Sequence, residues 1–183
     1  MLFNQTRVHG AWIVDPQPVA DERGFFARTW CAREFAERGL EPRLAQCAVS
    51  YNSLAGTLRG IHYQAAPHAE VKLVRCTAGA VFDVVVDLRA DSPSVGAWVG
   101  VELSAENRRM LYVPAGCGHG FLTLKDASEV FYQISAEHAP ESAYGVRWDD
   151  PAFGITWPAP VRVISARDRN YPLVDTPSTG APR

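Results

Sequence analysis

The feature that most restricts the fold is a rhythm: short β-rich runs, cut by Gly, Pro and Asp turns, recur from about residue 8 to residue 163, and one segment alone has helical spacing. The clearest run is Ala80 to Arg89. Because side chains alternate along a strand, Phe82, Val84, Val86 and Leu88 share one face, while Asp83, Asp87 and Arg89 share the other with Val81 and Val85. The first face is expected in the core, and the second is polar enough to line a cavity. Val71 to Thr77, Ala97 to Ser104, Met110 to Pro114, Gly120 to Leu124 and Glu129 to Ser135 read as further strands, divided by breakers such as Asp91-Ser-Pro and Pro114-Ala-Gly. An all-β sandwich or barrel suits this spacing.

The helical segment runs from Cys31 to Leu40, with Phe35 one turn after Cys31 and Gly39 at its end, which predicts a short surface helix stopped by glycine. No internal repeat, linker or low-complexity block divides the chain, so residues 1–183 are expected to form one β-barrel domain whose tail loosens after about residue 172. An apolar content of 47% is enough for a core that needs neither disulfides nor metal.

With 18 basic and 20 acidic residues the chain has no electrostatic footprint for nucleic acid or an anionic membrane, so any anionic ligand must be held by a local cluster. No apolar run approaches the roughly 20 residues that cross a bilayer. The amino end, MLFNQTRVHGAWIVDPQ, has no apolar stretch of signal-peptide length, and the expected location is the cytoplasm. Cys31, Cys47, Cys76 and Cys117 lie far apart without a C-x-x-C pair, as free thiols of a reducing compartment would.

Chemistry enters with Leu58-Arg-Gly-Ile-His-Tyr-Gln, where Arg59 stands three residues before His62, beside a glycine expected to let the backbone come close to a ligand. Alone, His62 fits a structural imidazole of a half-polar core as well as it fits a site. A histidine in a barrel mouth first suggests a metal-binding cupin, which needs two or three further His or carboxylate ligands at strand spacing. Here the expected His-x-His reads His62-Tyr63-Gln64, and His9, His68, His119 and His138 are scattered, so no metal site is expected. Lys72, the lone lysine of its apolar strand, either snorkels to solvent or points at an anion. Tyr132 shares a strand face with Val130 and Ile134 and fits a core position; Asp168 reads as a carboxylate of a surface turn. Together they supply the base, acid and charge stabiliser that acid–base chemistry in a metal-free cavity requires.

A wider pattern changes the weight of these residues. From Asp21-Glu-Arg-Gly-Phe-Phe to Ile164-Ser-Ala-Arg-Asp, the chain resembles the dTDP-4-dehydrorhamnose 3,5-epimerase family. The blocks that carry the resemblance include Leu58-Arg-Gly-Ile-His-Tyr-Gln, Lys72-Leu-Val-Arg, Val81-Phe-Asp-Val-Val-Val-Asp-Leu-Arg, Ser92-Pro-Ser-Val-Gly-Ala-Trp, Gly118-His-Gly-Phe and Trp148-Asp-Asp-Pro. It implies a double-stranded β-helix, that is, a jelly-roll, cupin-like barrel with short peripheral helices. It also implies a homodimer that works without metal or organic cofactor on a dTDP-linked 4-keto sugar. By the same resemblance His62 is the base, Tyr132 the acid and Asp168 the support of the histidine; the enolate oxygen also needs a stabiliser, and Lys72 is the candidate for it. Arg23 and Arg59 match positions that hold the nucleotide diphosphate, and His119 matches a further substrate contact; Asp83 is either a cavity residue or a structural carboxylate.

Four positions depart from the family's usual residues: Arg28 where glutamate is common, Gln46 in a stretch where a Gln-x-Asn pair is usual, His138 in place of a second tyrosine, and Ala143 in place of glutamate. All four are expected in or near the substrate site. The expected reaction is inversion at C3, C5 or both of a 4-keto-6-deoxy sugar nucleotide, and the changes at 46 and 138 raise the alternative of a single-centre enzyme. The rival readings are a metal-dependent cupin enzyme and a non-catalytic sugar-nucleotide binding module.

Overall fold

A computed structural model describes residues 1–174. In chain order the strands are β1 (Leu2–Gln5), β2 (Trp12–Asp15), β3 (Val19–Asp21), β4 (Gly24–Phe26), β5 (Gln46–Asn52), β6 (Thr57–Gln64) and β7 (Lys72–Ala78). They continue with β8 (Ala80–Asp87), β9 (Trp98–Ser104), β10 (Met110–Val113), β11 (Cys117–Thr123), β12 (Ser128–Ile134), β13 (Ala143–Gly145) and β14 (Val163–Ile164). Among the described residues two short α-helices, α1 (Ala32–Ala36) and α2 (Ala166–Arg169), and a 3-10 turn at Pro140–Ser142 accompany them.

Alternation along these strands builds two facing sheets. The first has the order β1-β2-β10-β7-β12-β5 and the second β13-β6-β11-β8-β9, with β14 added parallel to β6. The other pairings within both sheets are antiparallel, as a jelly roll requires. Val74, Cys76, Leu111, Val113 and Val130 of the first sheet meet Val81, Val85, Val101, Leu103, Cys117 and Phe121 of the second in the main core. Burial pushes the Cys76 thiol up to about 11 and the Cys117 thiol up to about 12, so both stay protonated and inert, and all four cysteines are free.

The β8 strand corrects one expectation. Its Val81, Asp83, Val85 and Asp87 face does point inward, but it lines no open cavity: Asp83 and Asp87 are fully buried. Asp87 is consumed by Arg89, Ser92 and Ser94, whose donors hold its carboxyl far below the usual range against the opposing pull of burial. The opposite face is core as well. Val84 and Val86 pack with Ile61, Val146, Phe82, Trp98 and Trp157, because residues 146–157 fold back over the outside of the second sheet.

The helix expected from Cys31 to Leu40 is a single short turn, α1, with Gly39 at φ +69 where the chain leaves it. It buries Phe35 against Val14, Leu73, Met110 and Tyr112 on the outside of the first sheet, worth about 1.5–3 kcal/mol for one such side chain. Among the described residues no helix is long and apolar enough to cross a membrane. From residue 175 on, the expected loosening of the tail lies outside the described residues.

Candidate active site

Between the mouths of the two sheets lies a cleft of about 290 Å³. The first sheet contributes one face of three neighbouring strands. Tyr132 pairs across with Ala48 and Val74, and Ile134 with Gln46 and Lys72, so Gln46, Ala48, Lys72, Tyr132 and Ile134 point the same way into the cleft. The second sheet contributes His62 and His119, which are direct cross-strand partners on β6 and β11. Imidazole and phenol therefore approach the same space from opposite walls.

A local irregularity makes the Arg59-x-x-His62 spacing work. Three residues apart would place two side chains on opposite faces of a regular strand, but the β6–β11 register shifts so that His62 faces His119 while Arg59 faces Phe121. Arg59 and His62 thus share a side. Gly60 does not serve ligand approach, as the sequence suggested; it serves strand approach. A Cβ there would stand 2.5 Å from Gly120 Cα and 2.9 Å from His119 O, and φ is +123. Its N–H donates to Asp168 Oδ2 at 3.2 Å.

Asp168 is a buried member of α2 rather than a surface-turn residue. Ser165 caps this helix, its hydroxyl accepting from Asp168 N at 3.0 Å, and the carboxylate reaches His62 Nε2 at 2.7 Å. Burial pushes the Asp168 carboxyl up, but donors from His62, Gly60 and Ser165 outweigh it and hold the group below the usual aspartate range. Facing an anionic acceptor, Nε2 carries the ring proton and Nδ1 keeps the lone pair a base needs.

Tyr132 is the chemical opposite. Burial, reinforced by the nearby Asp83 carboxylate and opposed by Arg59, pushes its phenol far above the ordinary value, so it stays a neutral proton donor. The His119 ring meets it edge-on with centroids 5.9 Å apart, and His119 Nε2 is held by Asp83 Oδ1 at 2.8 Å. Lys72 does not snorkel: it is buried, with Nζ 2.9 Å from Glu70 Oε1.

Gln46, His138 and Ala143 also line the cleft. Arg59 borders an adjoining depression of about 420 Å³ that meets the cleft at His62 and Arg167; its Nε donates to Asn52 Oδ1 at 2.7 Å. Within the single chain, Arg23 and Arg28 lie elsewhere. Arg23 pairs with Asp21 on the exposed β3–β4 hairpin, and Arg28 pairs with Glu34 at 3.0 Å beside α1. Among the described residues no three His, Cys, Asp or Glu side chains converge as a metal site would require.

Glu70, Arg167 and Tyr171 join the site without having stood out in the sequence. Arg167 faces both the cleft and the depression, and among the described residues no carboxylate pairs with it. Tyr171 stands 5.9 Å from the His62 ring, near edge-on, and backs it. The available signal was Ser165-Ala-Arg-Asp168, a helix-capping pattern that places Arg167 and Asp168 in one turn.

The model of the family described as dTDP-4-dehydrorhamnose 3,5-epimerase matches residues 5–176. The chain belongs to the dTDP-4-dehydrorhamnose 3,5-epimerase family. These are carbohydrate epimerases, a class of isomerase. A dTDP-4-dehydrorhamnose 3,5-epimerase of Methanothermobacter thermautotrophicus is 44% identical over 179 residues, which is 96% of each chain. The crystal structure of such an epimerase from Elizabethkingia anophelis matches with a TM-score of 0.92 at 37% identity, covering 95% of this chain and 96% of that one. A 3'-monoepimerase from Streptomyces bikiniensis, in complex with dTDP-quinovose, matches at 0.86 and 35% identity over 93% of this chain and 86% of its own. Proteins named for one centre and for two thus both resemble this chain.

Proposed function

We propose that the cleft epimerises a dTDP-linked 4-keto-6-deoxy sugar at carbons flanking the ketone, by proton removal at His62 and proton return from Tyr132. The observation that carries this reading is that the two side chains line one cleft from two different sheets, the first backed by a buried carboxylate and the second kept protonated. A C–H beside a ketone is acidic because the resulting enolate spreads its charge onto oxygen. Lys72 and His119 stand on the walls where that oxygen can be held. Inversion needs the proton to return to the other face, and a neutral phenol across the ring can supply it.

The diphosphate is assigned to the adjoining depression, where Arg59 and Arg167 offer guanidinium forks suited to phosphate. Arg23 and Arg28 come into play through a homodimer. Val19, Phe25 and Phe26 on the exposed hairpin, with Val49 and Tyr51 on the edge strand β5, form apolar surface that a second copy would cover. The working compartment is the cytoplasm. Gln46 and His138 on the cleft walls favour a second version of the same reading, inversion at C3 or C5 alone.

Incubation with dTDP-4-keto-6-deoxyglucose in D₂O, monitored by NMR, tests both. Deuterium at C3 and C5 supports two-centre inversion, deuterium at one carbon supports the single-centre version, and none at either rejects the epimerase reading. Light scattering tests the dimer, a monomeric mass being the contrary result.

A further inference from the structure

Glu70 and Lys72 are two residues apart in the extended chain entering β7, so they share a face. Both line the cleft, each with a side chain 10% exposed, and they form an ion pair at 2.9 Å. Lys72 is one of the chain's two lysines; the other, Lys125, is exposed. A carboxylate is an unexpected neighbour for a cation that must attract a developing oxyanion, because it offsets part of that cation's field. Its presence calls for a task of its own.

We infer that Glu70 is a specificity-determining residue that reads the hydroxyl next to the substrate's ketone, holding Lys72 with one carboxylate oxygen and accepting that hydroxyl with the other. The inference rests on the epimerase reading above. An ionised carboxylate is acceptor-only, with lone pairs on both oxygens. Among the described residues Lys72 is the group paired with Glu70, through Oε1. The other carboxylates beside the catalytic groups are placed differently: Asp168 spends its two oxygens on His62 and Gly60, and Asp83 is fully buried behind His119.

A sugar that fills the cleft strips water from the second Glu70 oxygen, and an unpaired carboxylate oxygen there is costly unless the ligand supplies a donor. With the ketone oxygen at Lys72, that donor must sit on a carbon next to C4. In a 4-keto-6-deoxyhexose C5 bears only hydrogen, the ring oxygen and the C6 methyl, whereas C3 bears a hydroxyl. The chemistry therefore selects the C3 hydroxyl. Because inversion at C3 redirects that group, Glu70 holds one C3 epimer better than the other.

The test compares dTDP-4-keto-6-deoxyglucose with its 3-deoxy analogue, which keeps an exchangeable C5–H, by kcat/KM for deuterium uptake at C5 or, should C5 be inert, at C3. The natural chain should prefer the hydroxylated substrate by roughly 10- to 150-fold, the span of a hydrogen bond to a charged group. In Glu70→Ala the preference should fall to within about threefold of parity, since the acceptor is gone. The isosteric Glu70→Gln, which preserves side-chain shape, should keep only a reduced preference of roughly 2- to 12-fold, because its amide can still bond the hydroxyl but no longer as a charged acceptor. A full preference in both variants, or none in the natural chain, overturns the inference alone. No exchange of either substrate by the natural chain overturns the epimerase reading and this inference with it.

Discussion

Asp168→Asn changes one atom in a fully committed carboxylate, and the surrounding donors determine how the site responds. Asp168 Oδ1 faces His62 Nε2 and Oδ2 faces the Gly60 N–H. An asparagine can satisfy only one of these donors with its oxygen. If the amide nitrogen faced Gly60, two buried donors would oppose each other, at about 1–3 kcal/mol for the orphaned backbone group. The favoured orientation keeps oxygen on Gly60 and turns the amide N–H toward His62 Nε2. That ring nitrogen must then accept, so the proton moves to Nδ1 and the base is lost. The variant should fold with stability within about 1 kcal/mol of the natural chain near neutral pH. Its exchange rate should fall roughly 10²- to 10⁴-fold.

Proton-detected ¹⁵N NMR of the histidines should show His62 switching from the Nε2–H to the Nδ1–H tautomer, beside a stopped-flow or NMR rate for deuterium uptake. Acid sensitivity gives an independent readout. The Asp168 carboxyl lies below its unfolded value, so its contribution to stability is fully present above about pH 4 and is lost as pH falls through the lower folded value; the variant should flatten that slope. An Asn variant with a rate within about threefold of the natural chain would refute the reasoning, because a general base is worth at least about 10².

Named contacts lead to two more expected outcomes. Tyr132 should remain a phenol at pH 10, where an ordinary tyrosine is half ionised: the phenolate absorbance near 295 nm of the natural chain and of Tyr132→Phe should coincide there, and a difference of half a phenolate would contradict the burial argument. Gly60→Ala should lose at least about 2 kcal/mol from a strained φ and the overlap with Gly120, lowering the melting temperature by roughly 4–8 °C; an unchanged melt would mean the strands are not locked as described.

The alternation of Val74, Cys76 and Val130 is a local property of the chain, so the strands are directly legible in the sequence, whereas on β8 the face turned to the opposite sheet is that of Val81 and Val85 rather than the more apolar Phe82, Val84 and Val86. The stop at Gly39 is equally local. Features that escape a sequence reading are set by partners distant along the chain. Both faces of β8 are buried; the apolar face of Phe82, Val84 and Val86 reads as core, but nothing within Ala80–Asp87 says that its cover is residues 146–157 rather than the facing sheet. The spacing of Arg59 and His62 looks wrong for a strand until the shift against β11 gives them one side. Gly60 misleads for the same reason, its close neighbour being Gly120 on another strand. Glu70 carries a legible signal, the two-residue offset from Lys72, but its meaning depends on a cleft that only folding creates. The resemblance supplies His62, Tyr132 and Asp168; the fold supplies the reason an Asp in a four-residue helix can serve a His on β6, 106 positions earlier in the chain.

The central claim is that His62 and Tyr132 act on opposite faces of one sugar ring, and the most direct measurement separates proton removal from inversion in Tyr132→Phe. With dTDP-4-keto-6-deoxyglucose in D₂O, this variant should still exchange the acidic C–H for deuterium, because His62 can remove and return a proton on its own face, yet should yield no inverted sugar. His62→Asn should do neither. Inverted product from Tyr132→Phe at the natural rate, or undiminished exchange in His62→Asn, would contradict the account.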